Sequence, residues 1–153
     1  MLMSTFTGFV GLRTPADLLA KLQHDIHRMI ASPESEYAAF DFFVTAEHIV
    51  DWLHPDDKLA RTNLRKSDPL LQIASHIANG AKHFEAKADH HSSVRSLKME
   101  RYLDSACKEP GVEERAIVIK LTAHETTKLG SASFEAIILA YRLLEFWRTH
   151  LGR

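Results

Sequence analysis

The chain has 153 residues, 45% hydrophobic and 25% charged, with a formal net charge of −1 from 19 basic and 20 acidic side chains. That length buries roughly 70% of the unfolded surface in a single domain, 1–153, and the balance excludes intrinsic disorder and a uniformly basic nucleic-acid footprint. The single Cys107 excludes an internal disulfide or a multi-cysteine zinc finger, and six glycines and five prolines leave little turn material, so a mainly α fold is expected.

The opening residues MLMSTFTGFVGLR lack a basic region followed by a long apolar segment. The longest apolar run, Ala136 to Tyr141, is far short of the about 20 residues a membrane span needs. A cytoplasmic protein with no membrane partner is expected. Thr14-Pro15-Ala16-Asp17 predicts a helix start, with Thr14 as N-cap, proline in the first turn and an acid after it. Leu18, Leu22, Ile26 and Met29/Ile30 then recur at helical spacing, with Lys21, Asp25 and Arg28 on the other side, until Ser32-Pro33 stops the helix near Ala31.

A second helix is predicted from Ser35 to Leu53, ended by His54-Pro55. Apolar residues cover most of its circumference, which makes it central. Its polar exceptions, Asp41, Thr45, His48 and Asp51, follow a helical stripe. Asp56 to Ser67 is charged and shows no apolar period, and is expected to be a loop carrying the basic cluster Lys58, Arg61, Arg65 and Lys66. That cluster is either a solvated linker or an edge that contacts phosphate. A third helix is predicted from Pro69 to about Phe84, capped by Asp68. It presents His76, Asn79 and His83 at i, i+3 and i+7, with Lys82 adjacent. Gly80 inside it costs about 1 kcal/mol relative to alanine, and either a closely approaching backbone or the lack of a side chain beside Asn79 would be a reason for it.

Ser93 to Met99 fits an edge strand, and Leu97 to Ala106 fits a short helix equally well; Pro110-Gly111 ends either. Ala116 to Leu121 is the clearest strand, β-branched, with Ile117, Ile119 and Leu121 on one face. A turn at His124-Glu125 and a strand from Thr126 to Leu129 would complete a hairpin. Ser131 or Ser133 would then cap a last, strongly apolar helix from Phe134 to Leu151. The expected architecture is a four-helix bundle with a small β-hairpin before the last helix.

Two polar stripes on central helices need partners, because buried polar groups are costly alone. They form either a binding groove between the second and third helices or a hydrogen-bond network that orients those helices. A metal-dependent bundle enzyme using His48 with His76 or His83 is the alternative from another class. It is weakened by the absence of a His-x-x-x-His or Glu-x-x-His pair and by the ~10 Å axial separation of His76 and His83. His24 and His27 lie off the apolar stripe, and His90-His91 fall in a loop. No nucleophile turn, dinucleotide fingerprint or phosphate loop is present, so no catalytic residue, metal or cofactor is assigned.

Three segments, FDFFVTAEHIVDW, IANGAKHF and the ending LLEFWRTHL, together resemble small bacterial and phage-borne helical proteins whose central helices are similar to those of the HEPN superfamily. The resemblance implies a helical bundle, often dimeric, in toxin, defence or RNA-processing settings, where many members are metal-independent ribonucleases. Their motif is Arg, a polar residue, three variable residues and His. Here it corresponds to Ala78-Asn79-Gly80-Ala81-Lys82-His83, with alanine in place of arginine. The missing cation, which would stabilise transition-state charge, implies a non-catalytic module. On this reading His48, Asp51, Asn79, Lys82 and His83 bind RNA, a nucleotide or a protein partner, and the chain forms a homodimer. A purely structural interaction protein is the remaining alternative.

Overall fold

The computed structural model describes residues 6–102 and 114–153. Among them are six helices and a three-stranded sheet: α1 (Pro15–Ala31), α2 (Glu36–Leu53), α3 (Lys58–Lys66), α4 (Pro69–His83), β1 (Val94–Tyr102), β2 (Glu114–Leu121), α5 (Ala123–Leu129), β3 (Ser133–Glu135) and α6 (Ala136–Leu151). The protein is mainly helical, but two further short helices and a third strand replace the simple four-helix bundle with a hairpin. None of the described helices is long and apolar enough to cross a membrane.

Helix α1 starts as its sequence dictates. The Thr14 hydroxyl accepts from the Asp17 N–H, and the Asp17 carboxylate accepts from the Thr14 N–H at 2.8 Å, a reciprocal capping box. The three N–H and O–H donors around Asp17 hold its carboxyl below its ordinary range. Leu18, Leu22, Ile26 and Met29 are buried, while Ile30 faces out. Asp25 departs from the expected solvated side: it is buried and paired with Lys21 and Arg28.

Helix α2 is the central element, packed against α1, α3, α4 and α6. Phe42, Phe43, Ile49 and Val50 are fully enclosed, each contributing roughly 1.5–3 kcal/mol by leaving water. Its polar residues do not act as one stripe. Asp41 and Thr45 face α1, receiving Arg28 at 2.6 Å and Lys21 at 3.0 Å. His48 and Asp51 turn toward α3 and α4.

The expected loop at 56–67 is a helix, α3. Asp57 caps it, accepting from the Ala60 N–H at 2.9 Å. It buries no residue fully, which is why apolar periodicity did not reveal it. Helix α4 begins at Pro69 with Asp68 as its cap. A Cβ at Gly80 would meet nothing within 4 Å, so no backbone approach explains the glycine.

The strand reading of residues 93–99 is the correct one, extended to Tyr102; positions 103–106 and Pro110-Gly111 lie outside the described residues. β1 pairs antiparallel with β2, Leu97 opposite Ile119 and Met99 opposite Ile117, and β2 pairs with β3. Ile117, Ile119 and Leu121 join the core as expected. The expected strand at Thr126–Leu129 is instead helix α5. The Thr126 and Thr127 hydroxyls bond back to the Thr122 and Ala123 carbonyls, and Gly130 ends the turn at φ 79°. Ser133-Phe134-Glu135 extends the sheet rather than opening the last helix. Ser131 closes a local turn with Ser133, and α6 has no side-chain cap.

Candidate functional site

Helices α2, α3 and α4 and the segment at 88–92 enclose a groove of about 1340 Å³. Helical spacing builds its walls. α2 supplies Phe40, Val44, Glu47, His48 and Asp51 along one side. α4 supplies Gln72, Ser75, Ala78, Asn79 and Lys82, and α3 supplies Lys58, Arg61, Thr62, Arg65 and Lys66. Four of the five residues expected to bind, His48, Asp51, Asn79 and Lys82, are therefore brought to one groove. The fifth, His83, is exposed and lines no part of it. Asn79 is partly committed, since its amide donates to the Ser75 carbonyl at 2.8 Å.

The floor of the groove is a charge cluster that sequence reasoning did not assemble. Arg65 donates from Nε to Glu47 Oε1 at 2.6 Å and from Nη2 to Asp51 Oδ1 at 2.8 Å. Arg61 stands 3.7 Å from Asp51 and donates from Nη1 to the His54 and Pro55 carbonyls at 2.7 and 2.8 Å, satisfying the C-terminal end of α2. Glu47 is only 7% exposed. Burial pushes its carboxyl up to about 7, against the pull of Arg65, and the Asp51 charge pushes in the same direction. Its second oxygen, Oε2, is buried with no hydrogen-bond partner among the described residues. The signal for this cluster is complementary spacing: Glu47 and Asp51, like Arg61 and Arg65, are four residues apart, so two acids on one helix face meet two arginines on another.

One rim carries His90 and His91, with His76 packed behind them and outside the groove lining. His76 and His91 stack with ring centres 5.5 Å apart, and His90 lies 4.1 Å from His91. The Val94 N–H donates to His76 Nδ1 at 3.0 Å, which fixes the neutral tautomer with its proton on Nε2. Burial and the His90 charge hold His76 below its ordinary range, and the same causes, with smaller effects of His76 and Arg65, bring His91 down to about 4. His90 and His91 fall in the loop between α4 and β1 as expected; His90 is exposed, whereas His91 is half-buried against His76. His24 and His27 are exposed as expected. Among the described residues, no three His, Cys, Asp or Glu side chains group as a potential metal centre. Cys107 lies outside the described residues.

No protein family, curated protein or solved structure matches the chain.

Proposed function

We propose that this groove binds the phosphates of single-stranded RNA or a nucleotide, as a non-catalytic module working in the cytoplasm. One observation carries the reading: five cations, Lys58, Arg61, Arg65, Lys66 and Lys82, line the groove against two carboxylates, in a chain whose overall charge is −1. Basic charge is concentrated where concave walls focus it. Both carboxylates are held by arginine, whereas Lys58, Lys66 and Lys82 have no ion-pair partner among the described residues. Phe40, half-exposed on the α2 wall, offers a ring on which a base could stack. The groove exceeds the roughly 300–1,000 Å³ of ordinary small-ligand pockets, which favours an oligonucleotide over a mononucleotide. The same ligand class is what the resemblance of the segments FDFFVTAEHIVDW and IANGAKHF to the HEPN superfamily implies.

Titration of fluorescein-labelled single-stranded oligoadenylate against salt tests this. Each neutralised phosphate contributes a slope of about −0.7 to log K against log salt, so K58Q/K66Q/K82Q is expected to flatten the slope by about 2 units. An unchanged slope would remove the groove as the binding site.

Outside the groove, α2 and α6 also expose apolar side chains. Tyr37 on α2 and Ile138 and Tyr141 on α6 are exposed large apolar residues, the two α6 residues one turn apart. We infer a symmetric homodimer, the commonest closed assembly. Light scattering at micromolar concentration should give twice the chain mass, and the monomer mass would refute the dimer.

A further inference from the structure

The Arg65 guanidinium, one of the two least exposed cations of the groove, is already occupied. It bridges Glu47 and Asp51 with bonds of 2.6 and 2.8 Å, so any phosphate that reaches it must compete with two carboxylates of this chain. The two competitors are unequal. Asp51 is half-exposed and keeps water when Arg65 turns away, and it retains Arg61 at 3.7 Å. Glu47 is enclosed, one of its oxygens has no hydrogen-bond partner among the described residues, and Arg65 is its sole ion-pair partner there. A buried carboxylate that loses its only counter-charge is far costlier than a buried carboxylic acid.

We propose that anion binding in this groove is coupled to proton uptake: the phosphate takes the Arg65 guanidinium from Glu47, and the Glu47 carboxylate takes one proton from solvent. The proton lets the carboxyl stay buried without a partner cation and removes a negative charge from beside the bound phosphate. Arg65 and Glu47 together form a gate, closed by their ion pair and opened by an anion plus a proton. The coupling is reciprocal, so a lower pH tightens anion binding just as an anion promotes protonation.

The groups around Glu47 permit this assignment. α3 faces it with Arg65 and Arg61, α4 with the Ser75 hydroxyl and, further along, Lys82. Asp51 and His48 share its helix, and His90 and His91 stand on the opposite rim. The α1 charges Lys21, Asp25 and Arg28 engage Thr45 and Asp41 on another side of α2, and no α1 or α6 residue is among those lining the groove. His48, His90 and His91 line the same groove, so the comparison with E47Q, rather than the pH dependence alone, isolates Glu47.

This inference rests on the phosphate-binding reading and extends it to the residue that controls affinity. The probe is single-stranded oligoadenylate, whose phosphodiester charge is constant over the range used. The native protein should bind more weakly as pH rises from about 7 to about 8.5, with affinity falling up to tenfold per unit, the limit for one coupled proton. Calorimetry in buffers of different ionisation enthalpy should show uptake approaching one proton per binding event at the upper end. In E47Q, which mimics the protonated carboxyl, both effects should vanish and binding at about pH 8.5 should match the native protein near pH 7. If the native protein binds without pH dependence or proton uptake, or if E47Q keeps both, the coupling is wrong while the binding reading stands. If no binding occurs at any pH, both fall. Should E47Q not fold, the variant H48Q/H90Q/H91Q decides: proton uptake that persists there supports Glu47, and uptake that is lost overturns the assignment.

Discussion

Replacing Arg65 by alanine is expected to destabilise the protein by about 1 kcal/mol near pH 6 and by about 3 kcal/mol near pH 8.5, measured by chemical denaturation. The sign follows from Glu47. Its carboxyl is raised from 4.5 to about 7 in the folded state, so the fold prefers the protonated form. The corresponding stability is fully present below 4.5 and is lost as pH rises through about 7, a change of about 3 kcal/mol, after which the native protein levels off because Arg65 accepts the carboxylate. Without Arg65 the levelling is lost. Each pH unit above about 7 then costs a further 1.4 kcal/mol or so until the shifted carboxyl ionises. Near pH 6 both proteins hold a protonated Glu47, and only the lost hydrogen bonds and stem packing of Arg65 separate them. His76 and His91 act in the opposite sense: both are lowered, so their stability is present above about 6.5 and is lost as pH falls through that value, toward about 4 for His91. Because they titrate below neutrality, the widening gap above pH ~7 is the signature of Glu47. A gap that stays constant with pH would mean that Arg65 does not support the buried acid.

What the sequence shows and hides follows from which force holds each element. α1, α2, α4 and β2 bury apolar stripes, and their bounds are legible to within a few residues because periodicity, proline and cap residues agree. α3 is held by ion pairs and by Arg61 bonding the end of α2, with Leu59 exposed and only Leu64 packed against the core. An apolar-period criterion has nothing to register there, although Lys58, Arg61, Thr62, Arg65 and Lys66 themselves recur at helical spacing. α5 was hidden by two threonines whose strand preference is overridden by hydroxyl bonds to the preceding turn and by Gly130. The groove shows the same division. His48, Asp51, Asn79 and Lys82 were visible as polar interruptions of apolar helices. Glu47 sits between Ala46 and His48 with nothing in its own helix to single it out, because its partner, Arg65, lies in a segment without apolar period. The same lack of apolar period in α3 therefore hides both the helix and the charge cluster of the groove.

Replacing Ala78 by arginine, A78R, is expected to yield a folded protein destabilised by about 1–3 kcal/mol with stronger, more salt-sensitive binding of oligoadenylate and no cleavage. Ala78 is buried on the α4 face that carries Leu71, Ala74 and Ser75 toward α2, so a larger side chain strains that contact. It also lines the groove, which has the volume to receive a long stem and let the guanidinium reach water. One added phosphate contact should steepen the salt slope by about 0.7. Cleavage needs an imidazole at the same phosphate, and His83 does not supply it. Positions five apart are turned about 140° from each other on a helix, and the His83 side chain is exposed outside the groove. Within one copy, the added cation and the histidine therefore address different surfaces. The assay is incubation of the A78R protein with oligoadenylate in excess chelator, beside A78R/H83Q. Intact RNA in both, with equal binding, fits a module that holds phosphate without breaking it. Cleavage that appears in A78R and disappears in A78R/H83Q would require a second copy to bring its own imidazole to the groove, and the non-catalytic reading would fail.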